Sequence, residues 1–217
     1  MDKIKKVEEI VDLIEDGMTI MIGGFMGVGT PEIIIDAMVS KGVKELTVIA
    51  NDTGLPGKGI GKLISKKMIK KLIASHIGLN PETGIQMNSG ELEVLLVPQG
   101  TLAERIRCGG AGIGGFLTET GVGTIVEEGK QKISIDDKEY LLELPLRADI
   151  ALIRGTIVDK DGNIFYNAST RNFNTLMATA ADKVLVAAEN IVEVGEIDPN
   201  NVMTPGIFID YVVGGEK

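Results

Sequence analysis

The stretch of residues 16–31, DGMTIMIGGFMGVGTP, restricts the possible folds of this chain more than any other part of it. Its apolar run, residues 18–22, is short enough for a single buried strand that starts after an Asp-Gly turn. Four glycines follow, and glycines allow positive φ and a close approach of a ligand to the backbone. Thr30 is a candidate N-cap, and Pro31 suits the first position of a helix. The stretch therefore predicts a strand, a glycine turn and a helix N-terminus, which together can present free backbone N–H groups to an anion.

The glycine pattern departs from both common phosphate-binding motifs. If Gly27-Val28-Gly29 opened a dinucleotide-binding fingerprint, Glu32 would stand where the third glycine belongs. The Gly-Lys-Ser/Thr ending of a P-loop does not follow the glycines either. A nicotinamide-dependent oxidoreductase is therefore disfavoured, and a tight strand-to-helix connection that binds no ligand stays open as an alternative.

Length, charge and the rare side chains narrow the functional classes. The 217 residues, 44% of them hydrophobic, suit one domain spanning residues 1–217. A formal charge of -9 argues against nonspecific nucleic-acid binding, which needs Lys and Arg to neutralise phosphates. The one cysteine, Cys108, and the one histidine, His76, cannot supply the four ligands of a structural zinc site, so no metal is expected. A Cys–His catalytic pair is formally possible, but a lone cysteine is more often a small buried hydrophobe.

Nothing in the sequence predicts a membrane location. No apolar stretch is long enough to span a bilayer. The first residues, MDKIKKVEEIVDLIEDG, carry charges throughout and have no signal-peptide core. We therefore expect a cytoplasmic protein that has no membrane partner.

Short apolar runs alternate with amphipathic segments along the chain. The runs predict buried strands at residues 18–22, 46–50, 72–75, 92–97, 150–154 and 184–188. Helices are predicted over residues 4–14, 33–39, 101–107 and 172–181. Gly17 and Gly42 are the expected ends of the first two helices, and Thr101 with Glu104 forms a T-x-x-E capping box for the third. Residues 133–144 predict a β-hairpin around an Asp-Asp turn.

Strands that alternate with helices predict an α/β fold. We expect an open three-layer α/β/α sandwich whose mostly parallel sheet carries the hairpin as a small insertion. Such sheets bind ligands beyond the carboxyl ends of their strands. Three polar or glycine-rich segments, 23–29, 51–54 and 99–100, collect at that edge, and the second glycine-rich stretch, 109–115, can join them. Their convergence favours a ligand site over a bare connection.

Several ordered motifs cover nearly the whole chain. Besides the 16–31 stretch they are ANDTG (50–54), ASHIGLNPETG (74–84), SGELEV (89–94), PQGTLAERIRCGGAG (98–112), TGVGT (120–124), EEGK (127–130), PLRADIALI (145–153) and RNFN (171–174). Taken together, these motifs resemble those of the α subunits of family I CoA-transferases.

The resemblance implies an open α/β fold and an enzyme that moves CoA from an acyl-CoA to a free carboxylate, with acetate, butyrate or acetoacetate as the acids. CoA is then a substrate, and no cofactor is bound covalently to this chain. In the family a glutamate attacks the thioester, forms an acyl–glutamyl anhydride and becomes a glutamyl–CoA thioester, which is nucleophilic catalysis. That glutamate belongs to an S-E-N-G motif of the β subunit, so the resemblance implies a β-subunit partner in an α2β2 assembly.

This chain has no S-E-N-G motif, and its nearest match fits poorly. The Glu-Asn pair at 189–190 is flanked by Ala188 and Ile191, so Glu189 is not expected to be the nucleophile. The chain should therefore be half of an enzyme whose reactive carboxylate is supplied across an interface.

The resemblance also assigns site residues. Asn51 and Gln99 match polar active-site positions and are expected to contact substrate or the negative charge that develops on a carbonyl oxygen. Alternatively, Asn51 caps a turn and Gln99 bonds backbone beside Pro98. The glycine turn is expected to bind CoA through Gly23, Gly24, Phe25, Met26, Gly27, Val28 and Gly29. Residues 109–115 are expected either to contact ligand or to pack against the partner.

Two other functions stay open on the sequence. A sugar-phosphate isomerase can share a three-layer fold, but it needs a local acid–base set that the glycine turn does not supply. A noncatalytic ligand-sensing subunit needs no such groups.

Overall fold

The computed structural model describes residues 2–214 and contains six α-helices and eleven strands within them. The helices are α1 (Val7–Val11), α2 (Glu32–Lys41), α3 (Ile60–Ser65), α4 (Pro81–Ser89), α5 (Gln99–Ala111) and α6 (Asn174–Met177). The strands are β1 (Thr19–Ile22), β2 (Leu46–Asp52), β3 (Ile69–His76), β4 (Glu93–Leu96), β5 (Phe116–Thr118), β6 (Lys132–Ile135), β7 (Lys138–Glu143), β8 (Ala148–Asp159), β9 (Ile164–Phe165), β10 (Ala181–Val192) and β11 (Tyr211–Gly214). Among these residues, the helices are all too short or too polar to cross a bilayer.

The strands of the main sheet are parallel except for β9, and the order in which the chain adds them reverses at the centre of the sheet. Its strand order is β11-β10-β8-β1-β2-β3-β4, and β9 pairs antiparallel with β8 beside that path. The chain adds strands from β1 to β4 towards one edge and from β8 to β11 towards the other edge. The strands β1 and β8 therefore meet at a topological switch point, where the connections diverge and open a crevice at the carboxyl ends.

Helices cover both faces of this sheet, which confirms the predicted three-layer sandwich. On one face, α1, α2 and α3 share a core with Ile20 and Leu152. On the other face, α5 and α6 share a core with Met21 and Ile153. Alternate residues of one strand thus enter two different cores, which is why the strands read as continuous apolar runs.

A separate antiparallel sheet, in the order β5-β7-β6, contains the predicted hairpin. Asp136 and Asp137 have φ of 49° and 61°, the left-handed values of a two-residue hairpin turn between β6 and β7. The hairpin prediction is confirmed, and β5 adds a third strand that the sequence pattern did not indicate.

The first helix begins later than predicted, and the cap positions predicted for the second helix are shifted by one residue. α1 does not span residues 4–14, because Ile4 forms a parallel bridge with Val212 and the N–H of Lys5 donates to the Val212 carbonyl at 2.9 Å. α2 starts at Glu32 with Pro31 as its N-cap, so the predicted positions of Thr30 and Pro31 are wrong by one residue.

The helix α5 is longer than predicted, and its capping box is not formed. Pro98 is the N-cap, so Thr101 lies inside the helix and is buried. The helix continues through Gly109 and Gly110, where an added Cβ would clash with the Leu146 carbonyl and with the Thr179 side chain respectively. These glycines are therefore explained by packing within this chain. α6 covers only four residues of the helix predicted over 172–181.

Candidate active site at the carboxyl edge of the sheet

The segment after β1 folds into a tight hairpin turn. The N–H of Phe25 donates to the Val28 carbonyl at 2.9 Å, and the N–H of Val28 donates back to the Phe25 carbonyl at 2.9 Å. Between them, Met26 and Gly27 have φ of 51° and 84°, as a type I′ turn requires. The side chains of Phe25, Met26 and Val28 are 41%, 48% and 47% exposed. The turn is thus an ordered structure at the switch point that offers apolar side chains outward.

Most backbone N–H groups of this turn are already paired. Besides the two reciprocal bonds of the hairpin, the N–H of Gly24 donates to Oδ1 of Asn172 at 3.2 Å. The N–H of Met26 donates to Oδ2 of Asp52 at 2.8 Å. The expectation of a cradle of free N–H groups is therefore wrong for these positions.

The N-terminus of α2 is not open to an anion either. Glu32, its first residue, accepts the N–H of Gly59 at 2.9 Å through Oε1. Its other oxygen, Oε2, pairs with Nζ of Lys62 at 2.7 Å. Because this carboxylate already complements the positive end of the helix dipole, a second anion is disfavoured there.

Two of the glycines are required by contacts within the chain rather than by a ligand. An added Cβ at Gly23 would clash with Oδ1 of Asn174, and one at Gly24 would clash with Oγ1 of Thr30. Gly27 differs, because an added Cβ there would meet no atom within 4 Å. Gly27 is therefore the glycine of the hairpin turn whose open side leaves room for a ligand.

A cavity of about 560 Å³ opens beside this turn. Its lining residues are Phe25, Met26, Val28, Asn51, Gln99, Ser169, Asn172, Phe173 and Leu176. The predicted meeting of the glycine segment, the end of β2 and the start of α5 is thus confirmed, although the four glycines shape the wall without lining it. Mostly apolar walls with a few amide groups are typical of a small-molecule site. None of these nine side chains is ionisable, so this wall carries no nucleophile and no acid–base group.

Ser75, near the end of β3, connects the two predicted amide residues. Its Oγ lies 2.7 Å from the carbonyl oxygen of Asn51 and 3.1 Å from Oδ1 of the same residue. It also hydrogen-bonds Oε1 of Gln99. A hydroxyl has one hydrogen, so Ser75 can donate to only one of these three oxygens at a time, and its Oγ lies between the two carboxamide side chains. No role was predicted for Ser75, although it lies in the ASHIGLNPETG motif.

The lining residues that follow β9 were also missed. Asn172, Phe173 and Leu176 come from the segment predicted to be a helix from residue 172, and Ser169 lies just before that segment. The structure has a 3-10 turn at Ala168–Arg171 and the four-residue helix α6 instead. The RNFN motif was the available signal, since it contains two of these residues.

Other candidates lie away from this cavity. Glu189 pairs with Arg154, and both line a separate cavity of about 340 Å³ beside α2. Cys108 is fully buried inside α5, whereas His76 is exposed at the end of β3. Gly109 lies ten residues along α5 from Gln99, a distance of about 15 Å at 1.5 Å per residue. Of the two alternatives left open for residues 109–115, contact with a ligand in this cavity is therefore not realised at Gly109 and Gly110.

Comparisons with known proteins agree with this architecture. The family model of coenzyme A transferase matches residues 4–215. The acetate CoA-transferase subunit alpha of Escherichia coli K12 is 56% identical over 215 residues, which are 99% of this chain and 98% of that protein. The acetoacetyl-CoA:acetate/butyrate CoA transferase alpha subunit of Clostridium acetobutylicum is 57% identical over 211 residues, 97% of each chain.

A solved structure shows the same fold at low sequence identity. The acyl-CoA transferase of Escherichia coli O157:H7, in a thioester complex with CoA, superposes with a TM-score of 0.88 and 22% identity. The match covers 100% of this chain and 49% of that one, so this chain spans about half of that polypeptide. Because the family model spans residues 4–215 and two relatives are more than half identical over almost their whole length, this chain belongs to the coenzyme A transferase family.

Proposed function

We propose that this chain is the α subunit of an enzyme that exchanges CoA between a short-chain acyl-CoA and acetate, butyrate or acetoacetate. The names of two relatives that are 56% and 57% identical support this substrate class. The cavity of about 560 Å³, with its apolar walls, suits an acyl chain of a few carbons next to a thioester.

The observation that carries the proposal is the non-ionisable wall of the cavity. CoA exchange through an anhydride needs a carboxylate nucleophile, and the nine lining residues offer none. Asp52 lies next to the turn, but both of its oxygens accept backbone N–H groups, from Met26 and Gly54. The nucleophile is then a glutamate in an S-E-N-G motif of a β subunit, and the functional unit is an α2β2 assembly.

The reaction proceeds by two attacks on carbonyl carbon. The glutamate oxygen of the partner attacks the thioester carbonyl, the C–S bond breaks, and CoA leaves as a thiolate. The thiolate then attacks the glutamyl carbonyl of the anhydride, which releases the first acid as its carboxylate and leaves glutamyl–CoA. The acceptor carboxylate reverses both steps. Each attack places negative charge on a carbonyl oxygen, and the carboxamides of Asn51 and Gln99 supply donors for it.

The hairpin turn contributes mainly through side chains. Since four of its N–H groups are paired internally, the turn holds CoA by packing Phe25, Met26 and Val28 against it. The open side of Gly27 admits the ligand close to the backbone. Side-chain packing therefore takes the place of anion binding at the four positions whose N–H groups are paired.

The two alternative functions have less support. A sugar-phosphate isomerase needs an acid–base pair at the reacting carbons, which the cavity wall does not carry. A ligand-sensing subunit would bind acyl-CoA but would give no transfer in any complex.

The test is reconstitution with the S-E-N-G chain. Each chain is purified alone, and the transfer of CoA from acetoacetyl-CoA to acetate is followed for each chain and for the mixture. We expect transfer by the mixture only, and none when the partner's S-E-N-G glutamate is changed to glutamine. Transfer by this chain alone, or a stable mixture that is inert with acetate, butyrate and acetoacetate, would refute the proposal.

A further inference from the structure

Asn174, the first residue of α6, joins three segments at the switch point. Its side chain is fully buried, with 0% exposure. Its Oδ1 accepts the N–H of Arg154 at 3.2 Å, and its Nδ2 donates to the carbonyls of Gly29 at 3.0 Å and Thr170 at 2.7 Å. A carboxamide has two donor hydrogens and one acceptor oxygen, so every polar group of this side chain is used.

The Oδ1 atom stands in for a backbone carbonyl between β1 and β8. The N–H of Gly23 donates to the Leu152 carbonyl at 2.9 Å, which continues the parallel pairing past the end of β1. In a parallel ladder the next bond would join the N–H of Arg154 to the carbonyl of Gly23. The N–H of Arg154 instead donates to Oδ1 of Asn174. The backbone after Gly23 can therefore leave the sheet and form the hairpin turn.

Two glycines on either side of the hairpin turn leave room for this side chain. An added Cβ at Gly23 would clash with Oδ1 of Asn174, and one at Gly29 would lie 2.9 Å from its Nδ2 and 2.8 Å from both the Thr170 carbonyl and Nδ2 of Asn172. The φ of Gly23 is outside the left-handed region, and the three atoms nearest to an added Cβ all belong to Asn174, so contact with this side chain disfavours a larger residue there.

We propose that Asn174 is a positioning residue, which fixes both ends of the 23–29 segment and thereby sets the cavity wall that the hairpin turn forms. Asn174 does not line the cavity, so it acts only through that segment. The inference rests on the proposed function of the cavity as the site of CoA transfer. Asn172 also hydrogen-bonds this segment, at Gly24 and Val28, but its side chain lines the cavity. A substitution of Asn172 would therefore change both the position of the segment and the direct contact with a ligand.

The test replaces Asn174 by Ala and by Asp in the complex with the β subunit. Aspartate keeps the shape and the acceptor but turns an oxygen towards the carbonyls of Gly29 and Thr170. We expect kcat/KM for acyl-CoA to fall about 10- to 100-fold, mainly through KM, because the wall is misplaced. Hydrogen exchange of the amides in residues 23–29 is expected to accelerate in both variants.

Asn163→Ala is the matched control. Asn163 also bridges two segments, since its Nδ2 donates to Asp159 at 2.8 Å and its Oδ1 accepts the N–H of Gly206 at 2.9 Å. It does not line the cavity, and its partners do not either. This variant is expected to keep kcat/KM and the exchange rates of residues 23–29.

A second pair of variants tests the contact itself. Gly23→Ala alone is expected to lower the unfolding midpoint. The double variant Gly23→Ala/Asn174→Ala is expected to have the same unfolding midpoint as Asn174→Ala alone, because the clash is then absent. Its kcat/KM is not expected to recover. Normal kcat/KM and normal exchange in the Asn174 variants, or a Gly23→Ala protein as stable as wild type, would overturn the inference. A wild-type complex that transfers no CoA would overturn the proposed function instead, because the exchange and stability measurements do not depend on activity.

Discussion

The backbone N–H of Met26 donates to Oδ2 of Asp52 at 2.8 Å, and this bond ties the hairpin turn after β1 to the end of β2. The other carboxylate oxygen, Oδ1, accepts the N–H of Gly54 at 3.2 Å. Asp52 is 3% exposed. Its carboxylate is therefore a structural part of the site that fixes two loops, not a free nucleophile.

Asp52→Ala is expected to leave two backbone donors without their partner. We expect the free energy of unfolding to fall by about 2 to 3 kcal/mol, since buried unpaired donors are costly. Asp52→Asn keeps one acceptor oxygen and should lose less. Urea unfolding of the isolated chain measures both variants, and an Asp52→Ala protein as stable as wild type would show that the bond does not hold the turn.

Gly27→Ala tests whether the open side of the hairpin turn meets acyl-CoA. Its φ of 84° makes alanine cost about 1 to 2 kcal/mol, but the added methyl meets no atom within 4 Å, so the protein should fold. We expect KM for acyl-CoA to rise while kcat changes little. An unchanged KM would remove Gly27 from the binding surface.

Gly24→Val serves as the contrasting variant. The resemblance assigns Gly24 to CoA binding, so a branched side chain there would be expected to weaken that binding. In the structure, a Cβ there clashes with Oγ1 of Thr30, and φ is 117°. We therefore expect Gly24→Val to lower the unfolding midpoint without any ligand; a protein as stable as wild type would contradict this packing.

Gln99→Leu tests the amide donor. Leucine keeps most of the volume but removes the carboxamide from the cavity wall, so kcat should fall about 100- to 1000-fold if that group stabilises the developing charge. Gln86→Leu is the control, because Gln86 on α4 is buried and donates to the Ile64 carbonyl at 2.8 Å outside the cavity. The control should lose stability but keep kcat. If Gln99→Leu and Gln86→Leu have the same kcat, the carboxamide of Gln99 does not stabilise the developing charge.

The central strands were predictable because both faces of the sheet are covered. Residues such as Met21 and Leu152 enter cores on opposite faces, which leaves a continuous apolar run in the sequence. The edge strand β11 was not predicted; its sequence, YVVG, has only two buried side chains, Val212 and Val213, and ends on a glycine. Helix 4–14 was overestimated, since Ile4 shares the helical spacing but pairs with Val212 instead.

The site was predictable in its location but not in its chemistry. Asn51 follows the predicted strand 46–50, and Gln99 follows Pro98 after the predicted strand 92–97. The rule for parallel sheets brings both residues to one edge. The pairing of the N–H groups of Gly24 and Met26 was not predictable, because their acceptors lie at Asn172 and Asp52, far away in sequence. Tertiary hydrogen bonds of this kind leave no local pattern.

Glu189→Gln tests the allocation of the nucleophile. Glu189 forms an ion pair with Arg154, and the two side chains are 37% and 30% exposed. Loss of such a pair should cost less than about 1 kcal/mol of stability. We expect nearly unchanged kcat in the complex; a loss of several orders of magnitude would place the reactive carboxylate in this chain.

The location of the covalent intermediate tests the central claim most directly. The complex is incubated with acetoacetyl-CoA, the intermediate is trapped with borohydride or hydroxylamine, and the modified glutamate is identified by mass spectrometry of both chains. We predict modification of the S-E-N-G glutamate of the β subunit and an unmodified α chain. Trapped glutamyl–CoA on any carboxylate of this chain, Glu189 included, would contradict the account.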